Sequence, residues 1–250
     1  RSPGMPPRDF GAGGVPRSGS RLHFRAAMAT FRLPLFPLDV VLFPGALMPL
    51  HIFEPRYRAL LSDCLGGDQR FGLLEPGEAG AGPREGALGT VARIRATQPL
   101  EDGRSNIVVA GEERFRLREL VVSETPYLVG LAEPLADDTG PDPVEGIDRL
   151  RDLAARYQRA LRTLTDEHGR TTWEDDPARF TFQLAALLQV APPVLRRILA
   201  LRTASRRVRL LLELLPPLVE DLEGRARTHR GASRNGRPAP GTMLDPPDGP

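Results

Sequence analysis

Few side chains in this sequence could make or break bonds. Four histidines and one cysteine are present, and His51 and Cys64 are the pair that could serve as base and nucleophile. His51 and Glu54 lack the spacing of a helical zinc-protease motif, and together they leave a zinc ion short of ligands. Cys64 falls on the apolar face of a predicted helix, which favours a buried thiol over a reactive one. We therefore expect no catalytic residue, no metal site and no cofactor.

The chain contains no lysine, because all 34 of its basic residues are arginine. A phosphate-binding P-loop and a Ser-Lys peptidase dyad both require lysine, so neither can be present. The acidic run Glu174-Asp175-Asp176 could hold a cation, but it precedes Pro177 at a predicted helix start, and helix capping explains it better. These observations predict a protein that is not an enzyme.

Arginines alternate with apolar residues in two predicted strands. If Phe115 and Leu117 face a core, their arginine neighbours face outward. Such a basic sheet face could bind a nucleic-acid backbone. The segment 29–223 is mildly acidic overall, which favours a solvated face of mixed charge instead. Nucleic-acid binding by this face stays an alternative, and its residues are Arg93, Arg95, Arg114, Arg116 and Arg118.

The element that must position His51 and Cys64 is an apolar segment, residues 33–58, divided by prolines. An interior proline removes a helical hydrogen bond, so this segment cannot form one long helix or a membrane span. We predict a strand, a corner at Pro44-Gly45, a second strand and a helix from Pro55 to Gly66-Gly67. The five prolines are Pro34, Pro37, Pro44, Pro49 and Pro55.

Short strands follow this opening unit. We predict them at residues 70–75, 88–97, 105–110, 113–122 and 127–135, with a hairpin at Asp102-Gly103 and a turn at Gly111-Glu112. Several short strands with one short helix indicate a small closed or nearly closed β-barrel.

Helical patterns follow a polar linker at residues 136–146. Apolar stripes at alternating steps of three and four predict four helices, starting near residues 147, 177, 192 and 204, the last broken by Pro216-Pro217. We expect them to form a small bundle over residues 144–223. Residues 1–29 and 224–250 lack periodicity and are expected to be disordered, with Met28 as the expected natural start.

Several motifs in a fixed order carry a resemblance to a known family. The segments PLFPLDVVLFPG and PLHIFEPRY are followed by FGLL, GTVARIRATQPLEDGRSNIVVAGEERFRLREL and PYLVGLAEPL. Over about residues 31–137 the chain resembles the LON substrate-binding domain, the amino-terminal domain of Lon proteases. The resemblance implies an α+β fold. It consists of a PUA-like pseudo β-barrel with one short helix at residues 30–137, followed by the C-terminal helical bundle.

The resemblance also implies a function. It predicts a stand-alone, non-enzymatic module that binds protein or peptide and lacks ATPase and peptidase domains. Expected partners are unfolded or exposed hydrophobic polypeptide segments and a separate protease, with no membrane partner. One cysteine and the absence of an apolar leader stretch predict a cytoplasmic location. The candidate substrate-binding residues, for each of which core packing is the alternative, are Phe36, Phe43, Leu47, Phe53 and Tyr57.

Overall fold

The computed structural model describes residues 30–78, 82–140, 143–165 and 172–235. The predictions for residues 1–29 and 236–250 lie outside these ranges. Six strands and five helices are formed in the described part of the chain. In chain order they are β1 (Phe31–Pro37), β2 (Leu47–Ile52), α1 (Pro55–Gly66), β3 (Arg70–Leu74), β4 (Leu88–Pro99), β5 (Ser105–Val121), β6 (Leu128–Pro134), α2 (Ile147–Thr165), α3 (Pro177–Leu187), α4 (Pro192–Ala200) and α5 (Ala204–Asn235).

The six strands form one sheet that closes on itself. Their order is β2-β5-β4-β3-β1-β6, and β5 also pairs with β6, so five strands complete a ring. The pairing of β1 with β3 is parallel, and the other pairings are antiparallel. Because β5 is long, it pairs with β2 near its start and with β6 near its end. The strand β2 therefore extends the sheet beside the ring.

The proline-divided opening segment folds as predicted. It forms β1, a corner where Gly45 has a φ of 80°, β2 and then α1, whose first helical position is Pro55. The helix places Tyr57, Leu60 and Cys64 in the barrel core, as its spacing predicted. Each large apolar side chain buried in this way contributes roughly 1.5–3 kcal/mol to folding.

A membrane span requires a long and strongly apolar helix. No described helix meets that requirement.

The strand β5 is continuous over 17 residues, so the expected turn at Gly111-Glu112 between two shorter strands is wrong. The corner before β2 crosses β5 at this point, and Gly45 N donates to the Gly111 carbonyl at 2.9 Å. A Cβ atom on Gly111 would lie 2.2 Å from the carbonyl oxygen of Phe43. Glycine at this position therefore permits a close backbone approach within a strand.

The helices α2 to α5 share one apolar core with a residue of the opening segment. Phe43 belongs to this core, and its ring centre lies 6.0 Å from that of Phe182 on α3. The predicted cap of α3 is confirmed, because the Asp176 side chain accepts a hydrogen bond from Arg179 N at 3.0 Å. The boundary between a barrel at residues 30–137 and a bundle at residues 144–223 stays a prediction, since Phe43 joins the two regions.

The helix α5 continues through Pro216-Pro217 to Asn235. The predicted break at these prolines is therefore wrong, and residues 224–235 are helical instead of disordered. The apolar stripe of α5 continues on both sides of the prolines, where Leu215 and Val219 are fully buried. Burial of this stripe offsets the loss of backbone hydrogen bonds at the two prolines.

Two buried arginines and one carboxylate join the sheet to the helices. Arg114 on β5 is 4% exposed and Arg207 on α5 is 0% exposed. Both pair with Asp137, which lies between β6 and α2. Arg207 binds it in a bidentate manner, with Nη1 to Oδ1 at 2.9 Å and Nη2 to Oδ2 at 2.5 Å. We call Arg114, Asp137 and Arg207 the arginine clamp.

Other groups complete the surroundings of the arginine clamp. Arg114 Nη1 donates to the carbonyl oxygens of Leu199 and Leu201, at 2.6 and 2.8 Å. The guanidinium carbons of Arg114 and Arg207 lie 5.1 and 4.1 Å from the ring centre of Phe182, within the range of cation–π attraction. Burial lowers the pKa of Arg114, and the charge of Asp137 opposes that effect. The carboxylate is thus the one anion that compensates two buried cations in the arginine clamp.

We predict that Asp137→Asn lowers the free energy of unfolding by about 3–5 kcal/mol, because it leaves two buried guanidinium groups without their anion. Urea unfolding followed by circular dichroism measures this change. The neighbouring Asp138 pairs with Arg202 at the surface, where both side chains are about half exposed. Asp138→Asn is therefore the control and should cost less than about 1 kcal/mol. Equal, small losses in both variants would contradict the role given to the arginine clamp.

Candidate binding surface

The strand β2 is an edge strand with an exposed outer face. Among the described strands, it pairs with β5 alone. The side chains of Met48, Leu50 and Ile52 pack against the barrel core. Leu47 and the following Phe53 remain 68% and 57% exposed. Large exposed apolar side chains at both ends of an unpaired strand edge make this strand the candidate surface for contact with another molecule.

We define the edge surface as the exposed residues of this strand and its extension, namely Leu47, Pro49, His51 and Phe53. Pro49 and His51 are exposed, like the other two. Side chains two positions apart share a face of an extended strand, so the residues Leu47, Pro49 and His51 present one row. An edge strand also tolerates Pro49, because one of its rows of backbone groups has no partner strand.

A groove of about 430 Å³ adjoins the edge surface. Its lining residues come from β2, β4 and β5, and they include no aspartate, glutamate, lysine or arginine. Ala96 and Val108 supply apolar contact, whereas Gln98 and Asn106 supply amide donors and acceptors. The groove can therefore accept apolar groups while binding polar backbone groups beside them. Its lining residues are Pro49, Leu50, His51, Ala96, Thr97, Gln98, Asn106, Ile107 and Val108.

Contacts on both sides hold His51 in place. Its Nδ1 lies 2.7 Å from Asn106 Oδ1, and its ring stacks on Phe53 with centres 6.0 Å apart. In the tautomer that carries its proton on Nδ1, His51 donates to this amide oxygen, which can only accept. Phe53 in turn directly precedes Glu54, the N-cap residue of α1. The start of α1 thus fixes the backbone position from which the exposed phenyl ring projects.

The structure separates the five predicted substrate-binding residues into two groups. Leu47 and Phe53 belong to the edge surface. Phe36, Phe43 and Tyr57 are buried, at 5%, 1% and 7% exposure. The Phe36 and Tyr57 rings pack together with centres 4.1 Å apart, inside the barrel core. These three residues can support a binding surface but present little area to a partner.

The prediction that Arg114 faces solvent is wrong. The alternation in β5 is as expected, since Phe115 and Leu117 are fully buried inside the barrel and Arg114 points away from them. The helical region covers this part of the barrel, and Arg114 lies in the arginine clamp. Alternation gives the direction of a side chain but not what packs over it.

Neighbouring acids neutralise part of the remaining basic face, which consists of Arg93, Arg95, Arg116 and Arg118. Arg93 pairs with Glu112 at 3.5 Å, and Arg118 pairs with Glu133. Arg95 is exposed. With Arg114 buried and two other arginines paired, this face offers fewer cations to a phosphate backbone than the sequence suggested. Nucleic-acid binding by the face stays a prediction.

The sequence analysis identified only two of the four residues of the edge surface, Leu47 and Phe53. It missed Pro49 and His51, and it missed the groove residues contributed by β4 and β5. One signal was available, because the alternating exposure expected of LMPLHI places Leu47, Pro49 and His51 on one face. The groove could not be inferred, because it depends on which strands pair with β2.

The side chains that could hold a metal ion or act as a nucleophile can be located among the described residues. No group of three or more histidine, cysteine, aspartate or glutamate side chains is placed to hold a metal ion within the described ranges. Cys64 is 3% exposed, and its thiol donates to the Arg70 carbonyl at 3.2 Å. Burial raises the pKa of this thiol to about 12, with Asp68 and Asp63 adding to the effect. The thiolate that nucleophilic chemistry needs is therefore disfavoured.

The fold defines a class of protein, namely a closed β-sheet domain with one short helix and a C-terminal helical region. The chain belongs to the family described as the ATP-dependent protease La (LON) substrate-binding domain, which matches residues 32–216. Lon protease 2 of Myxococcus xanthus is 30% identical over 194 residues, and a Lon protease of Anaeromyxobacter dehalogenans is 29% identical. Each match covers 73% of this chain but only 23% of the relative's length.

Solved structures show the same fold. A Lon N-terminal domain protein from Xanthomonas campestris is 31% identical, with a TM-score of 0.56 over 74% of this chain and 99% of its own. The N-terminal domain of a Lon protease from the Mycobacterium avium complex is 17% identical, with a TM-score of 0.54 over 76% of this chain and 99% of its own. The second likeness supports the fold alone.

We predict that Cys64 in the folded protein resists a thiol reagent such as Ellman's reagent at pH 8, and that it reacts fully in guanidinium chloride. The chain has one cysteine, so the absorbance reports this site alone. Val122 is 99% exposed, and a Cys64→Ala, Val122→Cys variant should react rapidly without denaturant. Rapid reaction of the native protein would contradict the buried, protonated thiol.

The raised pKa also predicts a pH dependence of stability. The folded protein holds the thiol proton more tightly than the unfolded chain does. The thiol therefore contributes to the free energy of unfolding, and this contribution is complete below the ordinary pKa of 9.0. It is lost as the pH rises toward about 12. Between these values the urea midpoint should fall more steeply in the native protein than in Cys64→Ala. Parallel declines in the two proteins would show that Cys64 does not contribute.

Proposed function

We propose that this domain is a non-enzymatic polypeptide-binding module. It accepts apolar segments that unfolded proteins expose, and it presents them to a separate protease in the cytoplasm. The observation that carries the proposal is the edge surface, where Leu47 and Phe53 are 68% and 57% exposed beside an uncharged groove. Membership of a family described as a substrate-binding domain supports a polypeptide as the ligand.

The chemistry of the surface fits a ligand of this kind. We call the bound polypeptide the client. Burying Leu47 and Phe53 against apolar residues of the client removes both side chains from water, and this supplies the affinity. Gln98 and Asn106 in the groove can satisfy the backbone groups of the client, which would otherwise lose their hydrogen bonds to water. None of these contacts requires a reactive group, so binding needs no catalytic residue.

We predict that Leu47→Ser, Phe53→Ser weakens binding of a permanently unfolded protein by about tenfold or more, because two large apolar contacts are lost. Fluorescence anisotropy of labelled, reduced and carboxymethylated lactalbumin measures the dissociation constant. The unfolding midpoint should stay within the error of the native value, since both side chains are largely exposed.

The matched control removes two exposed apolar side chains from a different part of the sheet. Leu120 lies near the end of β5 and Val122 directly follows the strand, and they are 39% and 99% exposed. The double variant Leu120→Ser, Val122→Ser should retain native affinity. An equal loss in both double variants would contradict the choice of surface. Tight, salt-dependent binding of a labelled single-stranded RNA, with no binding of the unfolded protein, would contradict the proposed function itself.

A further inference from the structure

We propose that the open edge of β2 binds its client as an added β-strand, so that an extended polypeptide joins the sheet through backbone hydrogen bonds. This inference rests on the proposed function and specifies how the ligand is held. The occupant is an extended, uncharged segment in which apolar residues recur at every second position. Strand addition gives affinity through the main chain and selectivity through alternate side chains.

The hydrogen-bond pattern of β2 shows which backbone groups face the open edge. Gly111 N donates to the Ala46 carbonyl at 2.9 Å, so residue 46 bonds toward β5. The register then continues without a shift from Leu47 opposite Ala110 to Ile52 opposite Ser105. Because bonding directions alternate along an antiparallel strand, residues 48, 50 and 52 face β5, and residues 47, 49 and 51 face outward.

The backbone groups that face outward from β2 can pair with an added strand, except at Pro49, which has no N–H group. Residues 47 and 51 each offer an N–H and a carbonyl group at the edge, whereas Pro49 offers only its carbonyl. The side chains of the same three residues form the exposed row of the edge surface. A client residue opposite Leu47 or Pro49 therefore places its own side chain over this apolar row.

The lack of charged residues at this surface indicates which polypeptide segments it can bind. The exposed row of β2 and the adjoining groove include no aspartate, glutamate, lysine or arginine. A charged client side chain facing it would lose its hydration without gaining a partner, which is costly. We therefore assign this edge to uncharged segments with apolar side chains on the inner face, as in alternating valine and threonine.

The first test changes the number of outward N–H groups. Pro49→Val keeps an apolar side chain and restores the missing donor, so it should bind a labelled octapeptide of alternating valine and threonine about fivefold more tightly.

The opposite change removes a donor. His51→Pro lacks the backbone N–H at this position, and His51→Ala is its matched control because both variants lose the imidazole while alanine keeps the N–H. His51→Pro should bind the octapeptide about fivefold more weakly than His51→Ala.

The second test changes the client backbone instead of the protein. N-methylation of all valines, or of all threonines, leaves each side chain in place and removes one alternate set of N–H groups. An added strand uses one of its two edges, so one methylated peptide should lose binding while the other retains it. Loss at the valines indicates antiparallel addition, and loss at the threonines indicates parallel addition.

The outcomes separate this inference from the proposed function. Strand addition alone would be overturned by three results together. Binding would depend on Leu47 and Phe53, Pro49→Val would bind as tightly as the native protein, and the valine-methylated and threonine-methylated peptides would bind equally. Loss of all dependence on Leu47 and Phe53 would overturn the proposed function. If sedimentation shows that Pro49→Val self-associates without gaining affinity for the peptide, the edge belongs to a second copy of this chain and the inference fails.

Discussion

The arginine clamp is the interaction on which the arrangement of sheet and helices depends. One carboxylate, Asp137, pairs with Arg114 from β5 and Arg207 from α5. A buried ion pair adds little net stability compared with apolar packing, but it penalises arrangements in which its partners are separated. The arginine clamp therefore specifies where the helical region docks on the barrel, while apolar contacts such as Phe43 with Phe182 supply most of the favourable energy.

The local features of the fold could be predicted from the sequence because they depend on neighbouring residues. Proline positions determined the alternation of strand and helix in the opening segment, and Asp176-Pro177 marked the start of α3. The wrong turn at Gly111-Glu112 and the wrong break at Pro216-Pro217 have one cause, which is packing between distant segments. Gly111 resembles a turn residue until the crossing segment is known, and Pro216-Pro217 resembles a break until the burial of Leu215 and Val219 is known.

The candidate site was harder to predict than the fold, and for a physical reason. An apolar residue in a strand looks the same in sequence whether it faces a core or solvent, so Phe36 and Phe53 were indistinguishable. Exposure depends on which strand lies at the edge of the sheet, and this follows from the long-range pairing of β2 with β5. The same limit explains Arg114, whose outward direction was predicted and whose covering by the helices was not.

An exposed apolar edge also has a cost, because it can pair with other copies of the same protein. Two features of β2 reduce that risk without closing the surface. Pro49 removes the central outward donor, and His51 places a polar ring in the apolar row. Under the proposed strand addition, a strand that joins this edge forms fewer hydrogen bonds than a full ladder would provide, so we expect weak and reversible binding. Weak binding would suit the proposed function, in which the domain passes each bound segment to a separate protease.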